Sequence, residues 1–118
     1  MTDAGASMEG IAITPKPPYV AVIFTSLRTE GDQGYGETAD ELAALCAAQP
    51  GFLGMEHARE AGGVGITICY WRSLEDVVAW KKVAEHAAAQ ESGRAKWYRA
   101  YRVRICEVQR EYGFEREG

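Results

Sequence analysis

The sequence is poor in the residues that announce common chemistries. Its 118 residues include only three cysteines (Cys46, Cys69, Cys106) and two histidines (His57, His86). The cysteines are odd in number and widely spaced, with no CxxC. That excludes a disulfide framework and gives no zinc-ligand spacing, and it fits buried thiols in a reducing compartment. No apolar run approaches the roughly 18 to 20 residues that a membrane helix needs. Lysine plus arginine number 13 against 17 aspartates and glutamates, a net charge of -4. With a pI near 5.2, the balance argues against a general binder of nucleic acid or an anionic membrane, which wants a basic face. The opening MTDAGASMEG lacks a basic n-region and an apolar h-region, so no signal peptide is visible and the cytoplasm is the expected location. The glycine-rich stretch 29–36, TEGDQGYG, has neither the GxGxxG nor the GK[ST] pattern and reads as a flexible connection. A GxSxG elbow is missing as well.

What is present is enough for one well-cored domain: 47% of residues are apolar. Residues 1–18 carry three of the prolines and little periodicity, and read as a flexible arm. Ile11 to Ile13 could add to a sheet edge. Tyr19–Arg28, YVAVIFTSLR, is a strand with both faces largely apolar: Val20, Val22 and Phe24 on one, Tyr19, Ala21, Ile23 and Leu27 on the other. Helices cover one face of a small sheet easily. The second face then wants a cavity or another subunit.

A helix is expected within 34–49, starting either at the capping-box spacing of Thr38 and Glu41 or a turn earlier, with a stripe of Ala39, Leu42, Leu45 and Cys46. Pro50-Gly51 ends it. Residues 52–60 and Val64–Trp71 read as strands joined by a turn at 61–63. A second helix opens at Ser73, with Glu75 and Asp76 in its first turn, and runs to about residue 96. The last strand is expected over 101–112. The order β-α-β-β-α-β predicts a ferredoxin-like α+β fold, a four-stranded antiparallel sheet with two helices on one face.

In PGFLGMEH (residues 50–57) and ITICYWRSLEDVVAWKKVAEHAAAQESGRAKWY (66–98) the chain resembles the antibiotic biosynthesis monooxygenase (ABM) domain family. The likeness extends over about residues 19–114, leaving 115–118 as a tail. It implies a protomer that pairs sheet to sheet into a dimeric α+β barrel, with a pocket between sheet and helices. Family members include oxygenases that need no metal or flavin and act on acidic aromatics, and relatives that open haem.

His86 is the first candidate for chemistry. A base that titrates near neutrality suits proton abstraction from a phenol or hydroquinone, whose anion can react with oxygen without a cofactor. The resemblance places it near the haem-ligating histidine of the haem-opening relatives, where the spacing from the tryptophan is longer. On a continuous helix His86 lies roughly 120° from Trp80, on a polar face with Lys82 and Gln90. Trp80 shares its face with Val77, Ala84 and Ala87, as core or as a wall stacking on a flat ligand. The haem-opening branch also uses an asparagine on its first strand. This chain has none, which counts against haem oxygenation by that route.

Tyr70, Trp71, Trp97 and Tyr98 border the same helix and could line a site for a planar substrate, or pack as core and dimer seam. Arg102, with Arg104 beside it, could hold a substrate carboxylate or pair with acids across the sheet. The favoured reading is a cofactor-independent monooxygenase of a small aromatic, working as a homodimer through the open sheet face. The alternatives are a haem-binding or haem-degrading protein, with haem as cofactor, and a non-catalytic dimeric module that binds a small molecule.

Overall fold

The computed structural model describes residues 7–8, 10–32, 34–91 and 97–116. A two-stranded ladder of β1 (Ser7–Met8) and β2 (Ile11–Ala12) precedes the main sheet. Then follow β3 (Tyr19–Arg28), α1 (Tyr35–Ala47), β4 (Phe52–Arg59), β5 (Val64–Trp71), α2 (Leu74–Glu91) and β6 (Tyr98–Val108). The main sheet is antiparallel throughout, in the order β4-β5-β3-β6. This is the ferredoxin-like arrangement that the element order predicts. No helix among the described residues is long and apolar enough to cross a membrane.

The two faces of β3 divide as the alternation requires. Val20 and Val22 point at the helices and pack on the core of Cys46, Phe52, Trp71 and Val77, with Met55, Cys69 and Trp80 around it. Trp71 is completely buried. Its ring meets Phe52 edge-on at 5.6 Å and stacks on Trp80 at 6.1 Å.

Two register shifts depart from simple alternation. On β4, Phe52 pairs with Trp71 but Gly54 pairs with Tyr70, so Leu53 is an extra residue. The bulge lets Phe52 face the helices while Gly54 and Glu56 face the other way. On β6, Leu27 pairs with Ala100 but Arg28 pairs with Tyr98, so Arg99 is the extra residue.

Several sequence expectations shift. Helix α1 starts earlier than a Thr38 cap allows. Its N-cap is Gly34 with φ +84°, and Thr38 is buried inside the helix. Asp32 does the capping work instead, its two carboxylate oxygens accepting from the N–H groups of Gly34 (3.0 Å) and Gly36 (3.1 Å). Leu45 is exposed, so the inward stripe runs through Thr38, Leu42 and Cys46. The last strand begins three residues sooner than expected, because the sheet extends through the β6 bulge to pair Tyr98 with Arg28. Ile11 and Ala12 pair with β1 and not with an edge of the main sheet. Helix α2 is capped as expected: the Asp76 N–H donates to Ser73 Oγ (3.3 Å) and Ser73 Oγ–H returns a bond to Asp76 (2.9 Å). The expected continuation of this helix over 92–96 lies outside the described residues.

The residues just after β2 lie against the open sheet face. The Ala12 N–H donates to Glu56 (3.0 Å), and the Tyr70 hydroxyl donates to the same carboxylate (2.6 Å). Tyr19 and Thr14 both donate to Glu111 (2.6 and 3.0 Å). Gly54 makes this possible, since a Cβ there would stand only 3.0 Å from that of Ala12.

Gly51 links the end of α1 to β4 at φ +84°, and a Cβ would collide with the Asp76 side chain. Gly62 has φ +69° with nothing within 4 Å. Gly51→Ala is therefore expected to lose about 2 to 3 kcal/mol, against about 1 kcal/mol for Gly62→Ala. Urea midpoints at unchanged m-value would measure both. Equal losses would mean that the Asp76 contact does not matter.

Candidate functional site at the Tyr98 end of the sheet

The helix-facing side of the sheet changes character along β3. At the Val20 end it is closed by the tryptophan core. At the Arg28 end it carries aromatic rings and arginines. The β6 bulge is responsible. Without it Tyr98 would fall on the open face with Ala100 and Arg102. The extra residue Arg99 turns Tyr98 over to the helix side, beside Tyr101. Phe24 then stacks on Tyr101 at 5.2 Å and meets Tyr98 edge-on at 5.4 Å. Tyr35, at the start of α1, closes the group against Trp97 (6.0 Å) and Tyr98 (5.8 Å). Trp97 is 5% exposed.

Two arginines frame these rings. The Arg28 guanidinium lies 3.5 Å over the Tyr35 ring. Its Nε–H donates to the Trp97 carbonyl (3.1 Å) and its Nη2 to the carbonyls of Gly31 (3.1 Å) and Asp32 (3.3 Å). Arg59 lies across Gly65, where any Cβ would collide with the guanidinium. It reaches the buried Ser26 hydroxyl at 2.6 Å and the Gly63 carbonyl at 3.4 Å. A serine on an otherwise apolar strand face is thus the anchor for a charged side chain from two strands away.

Tyr98 sits in this field. Burial holds its pKa above the usual tyrosine value, and its hydroxyl donates to that of Tyr35 (3.4 Å) with the same effect. The charges of Arg59 and Arg28 pull the other way. The phenol stays protonated and can donate a hydrogen bond at any physiological pH. Cys46 is no nucleophile: contact with the Cys69 thiol and burial both push its pKa up.

The residues singled out from sequence are dispersed. Trp97 and Tyr98 belong to this cluster. Trp71 and Trp80 form the stacked core beyond it, and the Trp71 Nε1–H has no acceptor among the described residues. Tyr70 lies on the opposite face, bonded to Glu56, with burial first and that carboxylate second raising its pKa. Arg102 is exposed on β6, paired in register with Thr25 of the open face. His86 is exposed on α2, as is Lys82. Among the described residues no three acidic, histidine or cysteine side chains gather as metal ligands.

Arg28, Arg59, Ser26 and Tyr35 were not singled out from sequence.

Comparison with known proteins gives a consistent picture. Residues 18–92 match the sequence model of the antibiotic biosynthesis monooxygenase family. The uncharacterised protein YqjZ of Bacillus subtilis (strain 168) is 50% identical over 108 residues, spanning 92% of this chain and 95% of that protein. Among solved structures, a variant of SnoaB, a cofactor-independent oxygenase from Streptomyces nogalater, superposes with a TM-score of 0.63 at 15% identity, over 79% of this chain and 95% of its own. PA3566 from Pseudomonas aeruginosa gives 0.61 at 17% identity, over 83% and 99%. At these identities the solved structures speak for the fold alone.

The Tyr98 pKa has a consequence for pH. Its folded value is raised, so its contribution to stability is complete below the unfolded value near 10 and fades as pH climbs above that. The tyrosinate absorbance lost in Tyr98→Phe, followed at 295 nm, is expected to appear only well above pH 10. A step at or below pH 10 would show that the hydroxyl is solvated.

Proposed function

The chain belongs to the antibiotic biosynthesis monooxygenase family, and from that premise we propose that it is a cofactor-independent oxygenase of a small phenol or hydroquinone. The observation that carries this reading is the group at the Arg28 end of β3: aromatic walls, the protonated Tyr98 phenol and two fixed guanidinium groups beside them. A phenol lying among these rings would meet positive charge at its oxygen, which lowers its pKa and favours the anion. The phenolate is the species that gives electrons to oxygen. Oxidation of a phenol to a quinone by O2 releases one water and needs no outside reductant. One oxygen atom stays on the ring and the other leaves as water, with the electrons and protons supplied by the substrate. The residues have three tasks: to hold the ring flat, to stabilise negative charge and to donate to the oxygen that develops it. Trp97, Phe24, Tyr35 and Tyr101 suit the first, Arg28 and Arg59 the second, and Tyr98 the third.

In this reading His86, exposed on α2, takes up the phenolic proton. Haem is the weaker fit. Trp80 faces inward against Trp71 while His86 lies exposed on the same helix, so no single slot is bounded by both.

We also assign the open sheet face to a homodimer. Val64 and Ile66 are both 41% exposed there. The segment after β2 covers the Gly54 end of that face and leaves this end uncovered. Light scattering at micromolar concentration is expected to give twice the 12.9 kDa chain mass, and Ile66→Asp is expected to give a monomer. A monomeric wild type would refute the assignment.

Activity is tested by oxygen uptake with a panel of phenols and hydroquinones. Wild type is expected to exceed the protein-free rate, and Tyr98→Phe to lower kcat about tenfold, the effect of one hydrogen bond to developing charge. His86→Ala is expected to lose activity at pH 7 that free imidazole restores. Rates no higher than the protein-free blank across the panel would end the oxygenase reading.

A further inference from the structure

Beside the ring cluster opens a cavity of about 580 Å3. Its walls are Arg28, Arg59, Arg99 and Glu30, together with the glycines of the loop after β3 and of the β4–β5 turn. Three guanidinium groups therefore face one carboxylate, in a chain whose net charge is -4. Such an excess of positive charge in one recess of an acidic protein is an electrostatic signature of an anion site.

The arginines are also held in an unusual way. Arg72, at the other end of the sheet, has its carboxylate partner in Asp76 (3.2 Å). The cavity arginines have no carboxylate partner among the described residues. Arg28 is fixed by three backbone carbonyls and a tyrosine ring. Arg59 is fixed by a hydroxyl and one carbonyl. Neutral acceptors position a guanidinium without cancelling its charge, and they leave donors over. Arg59 uses two of its five N–H groups, and Arg99 forms no hydrogen bond or ion pair among the described residues. The bulge that turns Tyr98 toward the helices is the same one that sends Arg99 to the cavity, so ring cluster and charged recess are built by one backbone event.

We propose that this cavity binds the carboxylate of an aromatic acid, with Arg59 and Arg99 gripping it and Arg28 as a fixed charge shared with the ring cluster. The proposal rests on the oxygenase reading for the identity of the ring, and deepens it. An acid group held in the arginine recess leaves its ring at the edge of the cluster, beside Arg28 and the Tyr35 ring that it covers. Glu30 at the wall would repel a second acidic group and so favours a monoacid. Arg102, the sequence candidate for this task, lies on the opposite face of the sheet from the recess.

Isothermal titration of the full chain with salicylate, its neutral amide and inorganic phosphate tests this. Salicylate is expected to bind saturably, more weakly as salt is raised, and about tenfold more tightly than salicylamide. Arg59→Met and Arg99→Met are each expected to weaken salicylate about tenfold and leave salicylamide unchanged. Arg110→Met removes the same charge from the exposed C-terminal segment and is expected to change neither. Arg99 is exposed and makes no hydrogen bond, so its variant leaves the fold intact even if loss of Arg59 does not.

Absence of salicylate binding, equal binding of acid and amide, or equal damage from Arg110→Met would overturn the proposal. So would phosphate binding as tight as salicylate, which would make the recess a site for free oxyanions. The two readings fail separately. Arginine-dependent salicylate binding with no oxygen uptake on any phenol upholds the recess and removes the oxygenase. Oxygen uptake on neutral hydroquinones with no salicylate binding does the reverse.

Discussion

The packing of the Trp71 indole is what the rest of the protomer depends on. It is the last residue of β5, fully buried, and touches a ring from β4 and a ring from α2. In register it stands beside Val20 of β3. One side chain thereby ties three strands to the helical layer. Removing about 200 Å2 of such a surface from water is worth about 5 kcal/mol. Its Nε1–H, without an acceptor among the described residues, costs about 1 to 3 kcal/mol of that gain. The surplus remains large, which explains how the core tolerates an orphan donor. It also explains why the Trp71 end of the sheet is closed and dry, leaving any chemistry to the other end.

Strand alternation made most of this legible in the sequence. Tyr19–Arg28 and Val64–Trp71 have the bounds that their apolar pattern predicts, because a strand with one buried face leaves few alternative registers. Ser73 with Asp76 is a strong local signal, and the helix starts there. The misses have two causes. Thr38 with Glu41 has the spacing of a capping box, but Asp32 captures the free N–H groups through a turn with Gly34 in the left-handed region. The two bulges leave no mark in the pattern, since one extra residue in a strand looks like an ordinary residue. Yet the bulge at Arg99 decides the face on which Tyr98 lies. A strict alternation from Tyr101 would place it wrongly.

The candidate site was accordingly read in part. Trp97 and Tyr98 were found as aromatics near the end of a helix. Arg28 and Arg59 were not, because their significance depends on what lies across the sheet: Ser26 as an anchor, Gly65 as the gap that lets Arg59 pass over β5. Residues 26, 59 and 65 meet only through strand register, which no local spacing encodes. Tyr70 and Trp71 show the converse. They are neighbours in sequence and both aromatic, yet consecutive strand residues point to opposite faces. One is core and the other is bonded to Glu56 beneath the segment that follows β2.

That division gives each face of the sheet its own electrostatics. On the open face, tyrosine hydroxyls donate to carboxylates: Tyr19 to Glu111 and Tyr70 to Glu56, both at 2.6 Å. Burial raises the pKa of both phenols and the acids add to it. On the helix face the neighbours of Tyr98 are arginines, whose charge opposes the effect of burial. The same side-chain type is thus surrounded by negative charge on one side of a single sheet and by positive charge on the other. A neutral phenol among acids can serve only to hold structure. A neutral phenol among guanidinium groups is poised to donate to an anion, since any negative charge forming near it is stabilised by its neighbours as well. The contrast sets the Arg28 end of the helix face apart electrostatically, on physical grounds that owe nothing to the family likeness.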